Sequence, residues 1–157
     1  MASPKSFIFR PSLQEIKACS AAVRVANIPG LIRGAHGNRG LGHAFLCHIE
    51  PMKVLAYVVN LAAAFGGRKG IQPWKQQTDL ILELEFYCGG LSNRPSLVVV
   101  NKIDEAGAEQ VYEKLKRRVP GVRIFPGCAV LEEGIPELKG GLRMLVNSGK
   151  SHKLNRL

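Results

Sequence analysis

Residues 97–104 have the sequence Leu-Val-Val-Val-Asn-Lys-Ile-Asp, and this stretch limits the folds open to the chain more than any other. Four apolar residues, three of them β-branched, are followed directly by polar ones. A continuous apolar run of this length is typical of a strand that is buried on both faces of a sheet. In an open parallel α/β sheet, ligands bind at the loops that leave the carboxyl ends of the strands. We therefore predict that residues 101–104 form a ligand-binding loop.

The residue types in this loop match the chemistry of guanine. The carboxylate of Asp104 can accept hydrogen bonds from both the N1–H and the exocyclic amine of guanine, which adenine does not offer. The aliphatic stem of Lys102 can cover one face of the ring while its ammonium stays in water. The amide of Asn101 can donate to the base and connect neighbouring loops. The alternative is an ordinary strand end followed by a helix cap at Asp104, but the buried strand before the loop favours guanine binding.

The charge balance bears on the partners of the chain. Among 157 residues, 22 Lys and Arg outnumber 12 Asp and Glu, which gives a net charge of +10 and a pI near 9.8. This excess favours a polyanionic partner such as RNA, although basic character alone also serves solubility. The hydrophobic content of 46% indicates a globular chain. No apolar run approaches the roughly 20 residues of a membrane span, so we expect no membrane partner.

The cysteines and histidines do not predict a metal site. The four cysteines are scattered without a C-x-x-C pair, and a reducing compartment is the simpler interpretation. His36, His43 and His48 lie in a glycine-rich segment with no supporting carboxylate or cysteine pattern, so we interpret them as surface residues. The first twenty residues are Ser-rich and basic, with Glu15 the only acid, and a transit peptide is one interpretation of them.

Apolar periodicity predicts an alternation of strands and helices along the chain. We predict strands at 23–26, 54–59, 97–100 and 122–125, and helices at 44–49, at about 73–88, at 108–119 and from 136 onward. Such alternation indicates right-handed βαβ crossovers and a parallel sheet. The last helix contains Gly140 and Gly141, which cost roughly 1 kcal/mol each relative to Ala, so we expect it to be weak.

The helix at 108–119 carries a basic end. Glu113 and Arg117 are predicted to form an i,i+4 pair on its exposed side. Lys114, Lys116 and Arg118 add further cations near its C-terminus. Cations at this position complement the helix dipole, and we prefer that explanation to an RNA-binding patch.

With these elements in place, residues 23–147 resemble the GTPase domain of the Obg family, particularly its organellar plant members. Residues 25–42, which contain Val-Ala-Asn-Ile-Pro-Gly-Leu-Ile, Gly-Ala-His and Asn-Arg-Gly-Leu-Gly, are similar to the family's switch II block. Residues 101–104 resemble its guanine-specificity motif. Residues 128–134 resemble its second base-contacting loop, where the backbone N–H of Ala129 would face the guanine O6. The resemblance implies a P-loop GTPase fold, GTP and Mg²⁺ as ligands, and a role in ribosome assembly.

The sequence departs from the family where phosphate and metal would bind. No G-x-x-x-x-G-K-[ST] occurs in the 157 residues, and the glycine-rich N-terminal Obg domain is absent from them. Residues 6–13 resemble a switch I remnant, but Ile8 and Phe9 stand where Thr hydroxyls would reach Mg²⁺. Asn27 replaces the family's Asp and removes a carboxylate from the outer shell of the metal. Phosphoryl transfer depends on positioning and on neutralising phosphate charge. We therefore expect no catalytic residues and no metal ligands, weak or lost binding of GTP and GDP, and little use of Mg²⁺.

The predicted fold is α/β, a partial P-loop-GTPase-like parallel sheet flanked by helices that lacks the first strand and the P-loop. Losing that strand would leave an exposed sheet edge through which the chain could self-associate. We assign residues 1–22 to an N-terminal segment (a switch I remnant or a weak transit peptide), 23–147 to a truncated Obg-type G domain and 148–157 to a basic tail. The predicted nucleotide-binding residues are Asn27, Gly30, Asn101, Lys102, Asp104, Cys128 and Ala129.

The preferred function is a guanine-nucleotide-binding domain of an Obg-type GTPase, linked by resemblance to ribosome assembly, with hydrolysis lost. Its partners would be a guanine nucleotide and ribosomal RNA or a ribosomal subunit. The alternative is a degenerate module that binds no nucleotide and docks on RNA or ribosomal particles through its basic surface. A third interpretation is the product of a truncated gene without a selected function. The resemblance favours a mitochondrion or another organelle as the location, and the cytoplasm is the alternative.

Overall fold

The computed structural model describes residues 12–18, 21–27, 52–65, 70–87 and 89–148. Their strands are, in chain order, β1 (Ser12–Ala18), β2 (Ala21–Asn27), β3 (Leu55–Asn60), β4 (Ser96–Asn101) and β5 (Ile124–Gly127). Their α-helices are α1 (Pro73–Tyr87), α2 (Ala108–Arg118) and α3 (Ile135–Ser148), and short 3₁₀ helices occupy Ala62–Phe65 and Leu91–Asn93.

Strands β3, β4 and β5 form a parallel sheet in that order. One face of the sheet carries alternate residues of β3 and β4 and packs against α1 and α2. The buried residues of this core are Leu55, Tyr57, Val59, Leu61, Ile81, Leu84, Leu91, Val98, Val100, Ala108, Val111, Leu115 and Val119. The other face packs against α3, where Gly141 lies against the ring of Phe125. The predicted class, an α/β fold with a parallel sheet flanked by helices, is confirmed.

Local features of the sequence explain the position of α1 and β4, which support the site. α1 starts at Pro73, whose missing N–H is no loss in the first turn of a helix. β4, the central strand, is almost continuously buried, as its apolar run predicted. α3 runs through Gly140 and Gly141 without interruption.

The first two strands depart from the predicted parallel pattern. β1 and β2 pair antiparallel, with Ser12 opposite Asn27 and Ala18 opposite Ala21, and this hairpin is not hydrogen-bonded to β3. Strands joined by a short connection can only pair antiparallel, because a parallel pair needs a crossover of a dozen or more residues. This antiparallel hairpin lies outside the parallel sheet that the alternation of strands and helices predicted. β1 was not predicted, because Leu13 and Ile16 are three residues apart and do not alternate.

Two further details differ from the sequence prediction. β5 lies at 124–127 where 122–125 was predicted, so it includes Pro126. Proline is tolerated there because β5 lies at the edge of the sheet that the described residues form. On α2, Glu113 pairs with Lys116 (Oε1 to Nζ, 2.6 Å), so the predicted pairing with Arg117 was wrong. The predicted helix at 44–49 lies outside the described residues.

One edge of β3 has no strand partner among the described residues, since β4 pairs only with its other edge. Burial alternates along β3, and Ala56 and Val58 are exposed. The side chain of Val58 is 58% exposed, although it is apolar and lies in a strand. An open strand edge beside apolar surface matches the feature that the sequence predicted for self-association.

Candidate nucleotide-base site

The carboxyl ends of β3, β4 and β5 meet at one edge of the sheet, where two loops face each other. The first loop, residues 101–107, follows β4, and the second, residues 128–134, follows β5. The first loop is attached on both sides, because Leu61 N–H donates to the Asn101 carbonyl (3.1 Å) and Ile103 N–H donates to the Gly127 carbonyl (3.3 Å). The predicted ligand-binding loop is therefore held by both neighbouring strands.

Asn101 connects the two loops through its side chain. Its Oδ1 accepts hydrogen bonds from the backbone N–H of Lys102 (2.9 Å) and of Ala129 (3.1 Å). The linking role predicted for the Asn101 amide is thus present, and its Nδ2 carries the remaining donors. The N–H of Ala129, predicted to face a guanine oxygen, already has Asn101 as a partner. A base carbonyl at this position would share that donor.

Lys102 holds an unusual backbone conformation. Its φ is +67°, in the left-handed region that non-glycine residues rarely adopt. Such a conformation costs about 1–2 kcal/mol, and the bond from its N–H to Asn101 offsets part of this cost. The turn aims the chain away from the direction of β4 and leaves the Lys102 side chain exposed. An exposed lysine stem on a fixed turn can cover one face of a planar ring.

Asp104 does not cap the following helix. α2 begins at Ala108 with Gly107 as its N-cap, at a φ of +82° and without a side-chain hydrogen bond to the cap. The turn between loop and helix is made by backbone bonds, from Glu105 N–H to the Lys102 carbonyl (3.4 Å) and from Ala108 N–H to the Glu105 carbonyl (3.0 Å). The helix-cap interpretation of Asp104 was therefore wrong. Its carboxylate is exposed and has no hydrogen bond or ion pair within the described parts of the chain.

The second loop is a tight turn closed by an antiparallel bridge between Cys128 and Glu133. The two residues exchange backbone hydrogen bonds of 3.2 and 3.1 Å. Cys128 is buried, at 3% exposure, whereas Val130 at the tip of the turn is 90% exposed. Gly134 closes the loop at a φ of +74°, and a Cβ there would meet the carbonyl oxygen of Pro126. This turn fixes the position of the Ala129 N–H, while the Cys128 thiol itself faces the interior.

A third polar group at the same edge was not predicted. Asn60 ends β3 beside Asn101 in the register. The side chain of Gln76 on α1 accepts from Asn60 N–H and donates to its carbonyl, both at 2.9 Å, and Asn60 Oδ1 accepts from Ala62 N–H at 3.0 Å. The signal available in the sequence was the repetition of asparagine directly after an apolar strand.

The two loops carry negative charge. Residues 101–107 and 128–134 contain one cation, Lys102, against four acids, Asp104, Glu105, Glu132 and Glu133. Acidic loops suit the N–H donors of a base and offer no attraction for phosphate groups. The described residues contain no group of three or more His, Cys, Asp or Glu side chains that could hold a metal ion. None of the described helices is long and apolar enough to cross a membrane.

The structure brings together five of the seven predicted residues. Asn101, Lys102, Asp104, Cys128 and Ala129 all lie on the two facing loops. Asn27 ends β2 in the separate hairpin, and Gly30 lies outside the described residues.

Comparison with known proteins finds relatives of this chain among the Obg-type GTPases. No family model matches the sequence. The chain is 63% identical over 127 residues to "Probable GTP-binding protein OBGM, mitochondrial" of Oryza sativa subsp. japonica, and the match covers 81% of this chain and 24% of that protein. The chain is related to the Obg-type GTPases. It is also 41% identical over 126 residues to human "Mitochondrial ribosome-associated GTPase 2", with coverage of 80% of this chain and 29% of that protein.

The fold agrees with this relationship. Translation elongation factor SelB from Methanococcus maripaludis, solved in complex with the GTP analogue GppNHp, superposes with a TM-score of 0.58 at 19% sequence identity. The superposition covers 89% of this chain and 28% of that chain. The α/β architecture is therefore similar to the folds of P-loop GTPases. The chain spans only about a quarter of the length of the rice protein that it matches.

Proposed function

We propose that this chain is a guanine-recognition domain of Obg type, which binds the base through the loops after β4 and β5 and does not hydrolyse GTP. The domain comprises residues 23–147, and 148–157 form a basic tail. The observation that carries the proposal is the hydrogen bond from Ala129 N–H to Asn101 Oδ1, beside the exposed Asp104 carboxylate, which has no partner among the described residues. This bond fixes the position of one loop relative to the other. The Asp104 carboxylate therefore lies on a site that is already formed before a base binds.

The five loop residues have distinct proposed roles. Asp104 accepts from the N1–H and the exocyclic amine of guanine, Lys102 covers one ring face, and Asn101 donates from Nδ2 while tying the loops. Ala129 offers its N–H to the base carbonyl, and Cys128 anchors the turn by its burial. Asn27 and Gly30 belong to the proposed site by resemblance alone.

The proposed affinity is low and independent of the phosphates. A carboxylate that accepts two hydrogen bonds in a partly dry site contributes about 2–3 kcal/mol. This corresponds to dissociation constants above about 1 mM, whereas micromolar binding needs about 8 kcal/mol. The acidic loops add no attraction for phosphate groups. Guanosine, GDP and GTP should therefore bind with similar affinity, with or without Mg²⁺.

An NMR titration tests this proposal at the required ligand concentrations. The ¹⁵N-labelled chain is titrated to millimolar guanosine, GDP, GTP and adenosine, each with and without Mg²⁺. We expect shifts of the Asn101, Lys102 and Ala129 amides with the three guanine compounds and none with adenosine. Tight, Mg²⁺-dependent binding of GTP would overturn the proposal, because it would reveal a phosphate site elsewhere in the chain.

Loss of hydrolysis has a separate test. A single-turnover assay with labelled GTP should give the same rate with and without this chain, because the 157 residues contain no phosphate-binding P-loop motif. Mg²⁺-dependent hydrolysis that disappears when this chain is mutated would contradict the claim.

A second candidate function is association with ribosomal RNA or a ribosomal particle in an organelle. Two observations favour it: the net charge of +10, and the printed name of the human relative, which describes a mitochondrial ribosome-associated protein. Binding of labelled ribosomal RNA by the purified chain, and location of a tagged full-length chain in mitochondria, test the two parts separately.

A further inference from the structure

Two asparagine side chains lie next to each other at the carboxyl edge of the parallel sheet. Asn60 ends β3 and Asn101 ends β4, and the two residues are paired in register. Residues paired in this way point to the same face of a sheet, and neighbouring strands lie about 4.8 Å apart. Both residues are half-buried. We define Asn60 and Asn101 as the asparagine pair.

Hydrogen bonds show which end of each amide is engaged. Oδ1 of Asn101 accepts from the backbone N–H groups of Lys102 (2.9 Å) and Ala129 (3.1 Å). Oδ1 of Asn60 accepts from the Ala62 N–H at 3.0 Å. Each Nδ2 carries two N–H donors, and neither Nδ2 has an acceptor among the described residues. The asparagine pair therefore offers donors to a ligand at this edge.

The Asn60 amide is held in place by its surroundings. The Gln76 side chain on α1 accepts from the Asn60 N–H and donates to the Asn60 carbonyl, both at 2.9 Å. The next residue, Leu61, donates its N–H to the Asn101 carbonyl at 3.1 Å. These bonds, with the one from Ala62 to Oδ1, fix the end of β3 before any ligand binds. A donor that is fixed in advance loses little conformational freedom on binding.

The turn after β3 does not by itself require an asparagine. The bond from Ala62 N–H to the Asn60 side chain spans two residues, and an aspartate makes the same bond. A serine makes it more weakly. What asparagine adds at position 60 is the pair of N–H donors on Nδ2.

The order of the strands places Asn60 on the sugar side of the proposed base site. The proposed base contacts lie on the loops after β4 and β5, where Asp104 meets the N1 edge of guanine and Ala129 meets its carbonyl. β3 lies on the side of β4 that is opposite to β5, so Asn60 is one strand further from Ala129 than Asn101 is. In guanine, N9 carries the sugar and lies at the opposite end of the ring system from N1 and the carbonyl. The sugar would therefore extend from the base towards the end of β3.

We propose that Nδ2 of Asn60 donates a hydrogen bond to a sugar oxygen of the bound guanine nucleoside. This inference rests on the proposed function and adds a contact outside the base. Sugar hydroxyl oxygens accept from amide N–H groups. The contact uses no charge, so it serves guanosine, GDP and GTP alike. Asn60 then makes the site favour a nucleoside over the base alone.

Side-chain amide resonances of the ¹⁵N-labelled chain test this contact. The chain is titrated with 9-ethylguanine, guanosine and GMP, which present the base, the base with its sugar, and the base with sugar and phosphate. The Asn60 side-chain amide should shift with guanosine and with GMP and not with 9-ethylguanine. The backbone amides of Asn101, Lys102 and Ala129 should shift with all three compounds.

An exchange of amide for carboxylate removes the proposed donors with little change to the local fold. Asn60→Asp keeps an acceptor for the Ala62 N–H and leaves the backbone bonds to Gln76 in place. Asn147→Asp makes the same chemical change at an exposed position of α3, about 18 Å along the helix from Ile135. Asn60→Asp should weaken the binding of guanosine about three- to tenfold and leave that of 9-ethylguanine unchanged. Asn147→Asp should change neither by more than about twofold.

The outcomes separate this inference from the proposed function. An Asn60 side-chain amide that shifts equally with 9-ethylguanine, or only with GMP, would overturn the assignment to the sugar. An unshifted Asn60 amide beside shifted amides of Lys102 and Ala129 would overturn the inference and leave the proposed function standing. If no resonance shifted with any of the three compounds, the proposed function would fail, and this inference with it.

Discussion

The two adjacent glycines of α3 predict opposite effects of the same substitution. A Cβ at Gly140 would meet no atom within 4 Å, whereas a Cβ at Gly141 would lie against the ring of Phe125, with Cε1 and Cε2 at 2.8 and 2.9 Å. In a helix interior, Ala is favoured over Gly by about 1 kcal/mol. Gly140→Ala should therefore increase the free energy of unfolding by about this amount.

Gly141→Ala gains the same helix propensity and loses more through packing. Ring carbons closer than 3.0 Å to a Cβ force the ring or the helix to move, and overpacking of this kind costs about 1–3 kcal/mol. Phe125 belongs to β5 and is paired in register with Val99 of the central strand, which restricts its backbone. The net effect should be a destabilisation of up to about 2 kcal/mol.

Urea unfolding followed by far-UV circular dichroism measures both variants. With an m-value of about 2 kcal/mol/M, the midpoint should rise by about 0.5 M for Gly140→Ala and fall for Gly141→Ala. Adding Phe125→Leu to Gly141→Ala should recover part of the loss, because the shorter side chain vacates the space. If Gly141→Ala stabilised the protein as much as Gly140→Ala, the described packing of α3 on β5 would be incorrect.

Substitutions at three further positions test other parts of the structure. Burial, with a smaller effect of Glu85, raises the pKa of Tyr57 from 10.0 to about 12. The stability that the neutral Tyr57 hydroxyl contributes is therefore fully present below pH 10. This stability is lost as the pH rises to about 12, by up to about 3 kcal/mol. Tyr57→Phe should remove this loss of stability at alkaline pH, as measured by urea unfolding. It should cost nothing at neutral pH, because the buried hydroxyl has no hydrogen-bond partner among the described residues. An unchanged dependence of stability on pH in this variant would contradict the raised pKa of Tyr57. Asn101→Ala should lower the free energy of unfolding by about 1–2 kcal/mol through two lost hydrogen bonds and should speed hydrogen exchange at the Ala129 amide. Asn101→Asp should keep both acceptor contacts. Equal effects of the two variants would refute the linking role of Asn101. The unmodified chain should self-associate in sedimentation velocity and Val58→Lys should not, because a lysine on the exposed face of an edge strand blocks pairing; a monomer in both cases would contradict the open-edge account.

The sequence predicted those parts of the fold whose causes are local. The apolar run of β4 and the proline at the start of α1 each act within a few residues, and both elements lie where expected. The parts that were missed lack such a local signal. The antiparallel pairing of β1 was invisible because its own residues do not alternate. The fit of Gly141 against Phe125 joins two elements whose packing no local pattern describes.

The candidate site also has features that the sequence predicted and features that it did not. The residue types and spacing of Asn101, Lys102 and Asp104 predicted a base-reading loop, and the structure places all three in the loop that follows β4. The left-handed turn at Lys102 and the bond between Asn101 and Ala129 were not predictable in detail. Both depend on how the loop after β5 folds back towards β4, which is set by the bridge between Cys128 and Glu133.

The role of Asp104 can be measured directly by exchanging its carboxylate for an amide. In NMR titrations of the ¹⁵N-labelled chain, guanosine should shift the amides of Asn101, Lys102 and Ala129 in the unmodified protein, and xanthosine should not. In Asp104→Asn the preference should reverse, because xanthine carries a carbonyl in place of the exocyclic amine and can accept from the new side-chain amide. The helix that follows should be unaffected, since Gly107 is its cap. If Asp104→Asn bound guanosine as the unmodified chain does, the loop after β4 would not read guanine, and the proposed function would be refuted.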